Sequence, residues 1–200
     1  MKVLKFGGTS VGSPERIKEV AQLISNDESK IVVLSAMSGT TNSLVEISDY
    51  LRKRNPEAAN NIINSLRTKY LGHVRELYST EEMAERTRDF LEDEFMYLHS
   101  FANRNFVDSD EKVILAQGEI MSTNMMTNYL REQGIKVCLI SALDFMRTNV
   151  EGEPDLNHIR EHLQETLSTH PGYDLYITQG FICRNHTGAV DNLQRGGSDY

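Results

Sequence analysis

Apolar and polar positions alternate in short blocks over the first forty residues of the chain. Residues 2–6 predict a strand, and residues 14–25 place apolar side chains at helical spacing. Residues 30–36 form an apolar run, which is typical of a strand buried on both faces. A strand, a loop, a helix and a second strand in this order predict an α/β fold with parallel strands.

The pattern changes from about residue 41 to residue 106, where apolar residues recur at helical spacing among many charges. No strand pattern interrupts this stretch, so it predicts a helical insertion on the α/β layer. Further along the chain, residues 113–133 and 156–167 predict helices, and residues 136–141 and 173–182 predict strands. Since neither a linker nor an internal repeat separates these elements, they predict one domain.

Composition limits the partners and the compartment. The net charge of −8 argues against a nucleic-acid-binding surface, which needs a basic stripe. The longest strongly apolar run covers only residues 31–34, whereas a membrane span needs about 20 apolar residues. The N-terminus lacks the apolar core of a signal peptide, and Cys138 and Cys183 form no CxxC pair, which predicts two free thiols. We therefore expect a cytoplasmic protein with no nucleic-acid or membrane partner.

Two glycine-rich turns suggest anion binding. Gly7 and Gly8 follow the first strand directly, and Gly12 comes four residues later. This spacing matches neither the GxGxxG of dinucleotide-binding folds nor the GxxxxGK[ST] of P-loops. Lys5 precedes the glycines, so its ammonium would lie beside a turn whose N–H groups can hold phosphate oxygens; the alternative is a tight turn with a surface lysine. A second charged, glycine-rich turn covers residues 195–200.

Four motifs follow one another along the chain. They are KFGGTSVG at 5–12, SAMSGTTN at 35–42, QGEIMST at 117–123, and GFI at 180–182 with RGGSDY at 195–200. In this order they resemble the motifs of the aspartokinases, within the amino-acid kinase family. The resemblance spans the whole chain, and four ordered motifs are far more specific than one glycine-rich loop.

The resemblance implies a three-layer αβα sandwich with a mainly parallel sheet, similar to carbamate kinase, with the helical insertion at about 41–106. It also implies an aspartate kinase, which transfers the γ-phosphoryl group of MgATP to the β-carboxylate of L-aspartate. The product would be 4-phospho-L-aspartate, and the reaction would be the first step of lysine, threonine and methionine biosynthesis. Residues 1–200 would form the N-terminal, amino-acid-binding part of the catalytic domain, with the ATP-binding half and the regulatory domains beyond them. We therefore expect this chain alone to be inactive, and the full-length protein to be a homo-oligomer.

The acceptor chemistry sets what such a site needs. A carboxylate has a pKa near 4, so it is already ionised at pH 7 and needs no general base. The obstacle is to bring this anion against the triphosphate and to stabilise the charge of the transition state. Cations and N–H donors are therefore more useful than proton acceptors. No metal ligands are expected in the protein, since Mg²⁺ would arrive with ATP.

On the nucleotide side, the resemblance gives Lys5 the cationic role at the transferring phosphoryl group. The ATP phosphates would also be held by the residues of the turn that follows, Gly7, Gly8, Thr9 and Ser10. Asp199 would organise the catalytic site, either by holding Lys5 in place or by meeting the substrate ammonium.

On the substrate side, Arg195 would bind the α-carboxylate of aspartate through its planar guanidinium. Glu119 would bind the α-ammonium, while the hydroxyls of Ser38 and Thr41 would donate to a substrate carboxylate. The turn after Arg195 would offer further donors, from Gly196 and Ser198. The resemblance departs at Gln194, where a small residue is expected.

Other interpretations remain open. A helical glutamate such as Glu119 usually lies on a solvated face, and Arg195 and Asp199 are spaced as a local ion pair. Within the enzymes, glutamate 5-kinase and acetylglutamate kinase share the implied fold, and a non-catalytic amino-acid-binding module is an alternative in a different class. The HxxEH pattern from His158 to His162 matches an inverted zinc-protease motif, but the sequence identifies no third ligand.

Overall fold

The computed structural model describes residues 1–194, and its main sheet is built from four parallel strands. These are β1 (Lys2–Phe6), β2 (Lys30–Leu34), β3 (Val137–Leu139) and β4 (Leu175–Gln179). Their order across the sheet is β1-β2-β4-β3, and each neighbouring pair is parallel. The predicted α/β fold with parallel strands is confirmed.

Helices connect the strands and cover the sheet. They are α1 (Pro14–Ile24), α2 (Thr40–Arg52), α3 (Pro56–Leu77), α4 (Glu81–Ser100), α5 (Asp108–Glu132), α6 (Ala142–Phe145) and α7 (Leu156–Thr169). A short 3₁₀ helix, Phe101–Asn103, follows α4. In the part of the chain that the structure describes, no helix is both long and apolar enough to cross a membrane.

Alternate residues of the central strands enter two separate cores. Val32 and Ile177 are fully buried in the core that contains α1 to α5. Ile31 and Tyr176, their neighbours along the strands, belong to the second core, beneath α6 and α7. Since side chains alternate across a strand, these two cores lie on opposite faces of the sheet. Helices on both faces form the predicted three-layer αβα sandwich, which is confirmed.

The segment between β2 and β3 is helical wherever it is regular. Asn55 caps α3 by accepting a hydrogen bond from the Ala58 N–H at 3.1 Å, and Pro56 occupies the first helical position, where proline is favoured. The ring of Tyr70 on α3 packs edge-to-face on Phe95 of α4 at 5.9 Å. The three helices α2, α3 and α4 therefore share the larger core with the sheet.

One predicted strand is divided in the structure. The pattern over residues 173–182 predicts a continuous strand, but β4 ends at Gln179 and the chain turns. Strand β5 (Ile182–Arg184) then pairs antiparallel with β6 (Val190–Asn192), outside the main sheet. The turn forms because the Phe181 N–H donates to a buried carboxylate of α5 instead of continuing the sheet ladder.

Two smaller outcomes concern β3 and the thiols. The strand predicted over residues 136–141 is shorter, and helix α6, which the pattern does not predict, begins directly after the N-cap Ser141. Cys138 and Cys183 are both buried and free, as predicted.

Candidate functional site

The loops after β1 and β2 meet at the carboxyl edge of the sheet. The Ser35 N–H donates to the Phe6 carbonyl at 3.1 Å, and the Ser38 N–H donates to the Gly8 carbonyl at 3.1 Å. A Cβ atom at Gly8 would lie only 2.8 Å from the Ala36 carbonyl oxygen, so this approach requires glycine. Ligands of open α/β sheets bind beyond the carboxyl ends of the strands, which is where these two loops lie.

Helix α5, which carries the third motif at residues 117–123, packs against the loop after β2. A Cβ atom at Gly118 would lie 2.9 Å from the Cβ of Ala36, so the absence of a side chain lets α5 approach the loop after β2. One turn later, the Ser122 hydroxyl donates to the Ser35 carbonyl at 2.8 Å. Three of the four sequence motifs are therefore packed together by main-chain contacts and small side chains.

These loops and α5, with Phe181 and Gln194, line an open cavity of about 660 Å³. Its lining includes five of the residues predicted for the site: Gly8, Thr9, Ser38, Thr41 and Glu119. The lining thus combines serine and threonine residues with one acidic residue, Glu119. Gln194, the position that departs from the aspartokinase pattern, also lines the cavity.

Glu119 lies on the wall of this cavity and is only 3% exposed, rather than on a solvated helical face. Its Oε2 accepts a hydrogen bond from the Phe181 N–H at 2.8 Å. Burial raises the pKa of Glu119 to about 7, although the N–H groups of Phe181, Ile182 and Gly180 and the charge of Lys5 act in the opposite direction. A cation that entered the cavity would therefore meet a carboxyl group that ionises near neutral pH.

The remaining predicted residues of the first loop lie beside the cavity. Lys5 is exposed near the end of β1, opposite Val33 of β2. Its positive charge lowers the pKa of Glu119 and so partly offsets the effect of burial. The Ser10 N–H donates to the Gly7 carbonyl at 2.9 Å, which closes the turn. Lys5, Gly7 and Ser10 are not part of the cavity lining among residues 1–194. The predicted site residues Arg195, Gly196, Ser198 and Asp199 lie outside the described residues.

Several residues in or next to the motifs were not identified from the sequence as parts of the site. Ser35 and Phe181 line the cavity, although both belong to the motifs. Gln179 links three elements, because its Nε2 donates to Thr123 Oγ1 at 2.9 Å and its Oε1 accepts the Ala142 N–H at 2.8 Å. No local pattern marks Gln179, since its partners lie 56 and 37 residues away.

The two histidines of the HxxEH pattern lie on α7, and their rings stack with centroids 3.7 Å apart. Nδ1 of His162 is 2.9 Å from the carbonyl oxygen of His158, one turn earlier in the same helix. Within residues 1–194, no group of three or more histidine, cysteine, aspartate or glutamate side chains has an arrangement that could hold a metal ion.

Comparison with known proteins adds to this geometry. The model of the amino acid kinase family matches residues 1–200. Lysine-sensitive aspartokinase 3 of Escherichia coli (strain K12) is 31% identical over 202 residues, which cover 99% of this chain and 44% of that protein. Bifunctional aspartokinase/homoserine dehydrogenase 2 of the same organism is 28% identical, over 98% of this chain and 24% of that protein.

Solved structures of aspartokinases also match this chain over its whole length. The crystal structure of E. coli aspartokinase III in complex with aspartate and ADP has a TM-score of 0.83 and 29% sequence identity, over 100% of this chain and 45% of that one. The same enzyme in complex with lysine and aspartate has a TM-score of 0.84. The chain spans less than half the length of these relatives.

Proposed function

The chain belongs to the amino acid kinase family, and we propose that it forms the amino-acid-binding part of an aspartate kinase. The proposed reaction transfers the γ-phosphoryl group of MgATP to the β-carboxylate of L-aspartate. The observation that carries this proposal is the cavity at the carboxyl edge of the sheet, where Glu119 is buried, accepts the Phe181 N–H and shares the lining with Thr9, Ser38 and Thr41. The aspartokinase relatives, one of them solved with aspartate and ADP, support the choice of substrate.

Aspartate carries one ammonium and two carboxylates, and the cavity offers a partner for each kind of group. We assign the ammonium to Glu119, whose carboxyl group ionises near pH 7. The hydroxyls of Ser38, in the loop after β2, and of Thr41, in the first turn of α2, are assigned to a carboxylate. Arg195, outside the described residues, is assigned to the α-carboxylate, because a guanidinium binds a carboxylate through two parallel hydrogen bonds. Gly196 and Ser198 would add donors beside it.

The chemical step needs charge stabilisation more than proton transfer. An oxygen of the β-carboxylate attacks the γ-phosphorus of ATP, a new O–P bond forms, and the bond from that phosphorus to the ADP oxygen breaks. Lys5 is the proposed cation at the transferring group, and Asp199 is proposed to organise the site. The turn of Gly7, Gly8, Thr9 and Ser10 is proposed to hold the phosphates through N–H and hydroxyl donors.

Magnesium enters this scheme with the nucleotide. The described residues contain no cluster of three acidic, histidine or cysteine side chains suited to a metal ion. We propose that Mg²⁺ is held by the phosphates of ATP, where it would neutralise charge when bound.

Binding and trapping experiments test the proposal. Calorimetry of the chain with L-aspartate, glutamate and N-acetylglutamate should show saturable binding of aspartate and much weaker binding of the other two. Preference for glutamate or N-acetylglutamate would replace aspartate kinase by another amino-acid kinase. Hydroxylamine traps an acyl phosphate as a hydroxamate, so aspartyl hydroxamate formed with MgATP by a protein containing this chain would identify the kinase. Aspartate binding without hydroxamate in that protein would indicate a binding module.

A further inference from the structure

Helix α3 contacts the loop that carries two of the proposed substrate ligands. Nζ of Lys69 donates to the Ser38 carbonyl at 3.0 Å. The adjacent residue, Tyr70, shares a hydrogen bond of 2.8 Å with the Thr40 hydroxyl. Two consecutive side chains of α3 therefore hold residues on both sides of Gly39, 31 and 30 positions earlier in the chain.

The Tyr70–Thr40 hydrogen bond is sealed from solvent. Both residues are 0% exposed, and the Tyr70 ring packs on Phe95 and on His73. Burial raises the pKa of Tyr70 well above its usual value, so the phenol stays protonated. A buried hydroxyl that lost this partner would have no water to replace it, so breaking the hydrogen bond would cost free energy of folding.

Around Gly39, the other hydrogen bonds of this segment are short-range or come from the loop after β1. Gly39 is the N-cap of α2, with a left-handed φ of 83° and no side-chain cap hydrogen bond. Its local support consists of main-chain bonds, from the Ser38 N–H to the Gly8 carbonyl and from the Thr40 N–H to the Met37 carbonyl, and of the Ser43 hydroxyl, which donates to the Gly39 carbonyl at 3.3 Å. The side-chain restraint on residues 38 and 40 thus comes from α3.

We propose that Lys69 and Tyr70 are positioning residues, which hold residues 38–41, the end of the loop after β2 and the first turn of α2, so that the Ser38 and Thr41 hydroxyls meet the substrate. This inference rests on the proposed function. It makes α3 part of the amino-acid site, although neither side chain lines the cavity. A displacement of the loop by a fraction of an ångström would misplace both hydroxyls at once.

Matched variants separate positioning from general stability. Tyr70→Phe and Lys69→Met remove the two contacts. Tyr78→Phe is the control for the first, because the Tyr78 hydroxyl is also buried and donates to the Met125 carbonyl at 2.7 Å. Lys18→Met is the control for the second, because Nζ of Lys18 donates to the Glu76 carbonyl at 2.9 Å, between α1 and α3.

In calorimetry with L-aspartate, each of the two site variants should raise the dissociation constant about tenfold, while each control stays within about twofold of the parent chain. Tyr70→Phe and Tyr78→Phe should lower the melting temperature to a similar extent. Lys69→Arg should restore affinity, since a guanidinium can still donate to the Ser38 carbonyl. The double variant Thr40→Val/Tyr70→Phe should bind L-aspartate no more weakly than either single variant, because both changes remove the same hydrogen bond.

Amide hydrogen exchange provides a second measurement that needs no ligand. The amides of residues 36–42 should exchange faster in both site variants than in both controls. Equal exchange in site and control variants, or equal aspartate affinity, would overturn the inference. If the parent chain bound no aspartate, the proposed function would fall, and the exchange rates alone would then decide whether α3 holds the loop.

Discussion

At the scale of single residues, Glu119 shows how strongly the surroundings change a side chain. Its sequence position, inside a helix, is compatible with a solvated carboxylate. In the structure it is buried against the turn between β4 and β5, and its hydrogen bond to the Phe181 N–H joins two motifs 62 residues apart. The same burial that makes it a candidate ligand for an ammonium also couples folding to pH.

The pH dependence of stability follows from that pKa. The folded protein holds the Glu119 proton up to about pH 7, whereas the unfolded chain releases it near the ordinary value of 4.5. The folded state therefore binds more protons between these values, and the free energy of unfolding falls as pH rises from about 4.5 to about 7, by roughly 3 kcal/mol. Denaturant titrations of the parent and Glu119→Gln across this range measure the effect. If Glu119 is responsible, the difference in free energy of unfolding between the two proteins should change between about pH 4.5 and 7 and become constant at lower pH, whereas a parallel pH profile in both would contradict the prediction.

The first glycine pair offers a second test at this scale. Gly8→Ala places a Cβ 2.8 Å from a main-chain oxygen, whereas a Cβ at Gly7 meets nothing within 4 Å. We expect Gly8→Ala to lower the free energy of unfolding by about 1–3 kcal/mol, and Gly7→Ala to be nearly neutral. Urea denaturation of the two variants measures this, and equal losses at the two positions would show that the loops after β1 and β2 are not closely packed.

At the scale of elements, the end of α2 carries a residue that its backbone disfavours. The Asn55 N–H donates to the Tyr50 carbonyl and the Arg54 N–H to the Leu51 carbonyl, which is the Schellman pattern. Arg54 occupies the left-handed position of this motif, with φ of 56°, where glycine is favoured.

Arg54→Gly should therefore raise the free energy of unfolding by about 0.5–1 kcal/mol, because glycine adopts this conformation without strain. Arg54→Ala keeps the strained Cβ and should bring no such gain. Thermal melts of both variants measure the difference. A gain shared by alanine and glycine would mean that the arginine side chain, rather than its backbone conformation, is the unfavourable part.

At the scale of the whole molecule, the parallel sheet joins its two cores. Each central strand contributes to both, as Ile177 and Tyr176 do on β4. Loss of the core on one face would therefore destabilise strands that also form the core on the other face. The α2–α4 helices belong to the same unit, because they pack in the larger core and α3 contacts the loop after β2.

This connection predicts a single unfolding transition. Ile177→Ala in one core and Ile140→Ala in the other, both nearly inaccessible, should each lower the same transition by about 2–5 kcal/mol. Leu23→Ala, at a position 66% exposed, serves as the control and should change little. Far-UV circular dichroism and tyrosine fluorescence should give the same midpoint for each variant. Separate midpoints for the two probes would show that the cores unfold independently.

Much of the fold follows from patterns within short segments. The apolar run at residues 30–36 predicts a buried strand, and β2 lies between β1 and β4, with residues in both cores. The helical spacing before it predicts α1, which the structure contains at Pro14–Ile24. The pattern failed at residues 180–181, because an apolar run has no feature that reports a turn made by a distant carboxylate.

The sequence by itself determined the class of fold and the four motifs, because strand alternation, helical spacing and glycine turns are encoded over a few neighbouring residues. It also brought Gly8, Thr9, Ser38, Thr41 and Glu119 under consideration as parts of one site. Only the tertiary structure decided that Glu119 is buried, that Gly8 rather than Gly7 is sterically required, and that Lys69 and Tyr70 hold the loop after β2. These facts depend on how closely separate helices and loops pack, and contacts across tens of residues leave no periodic trace in the chain.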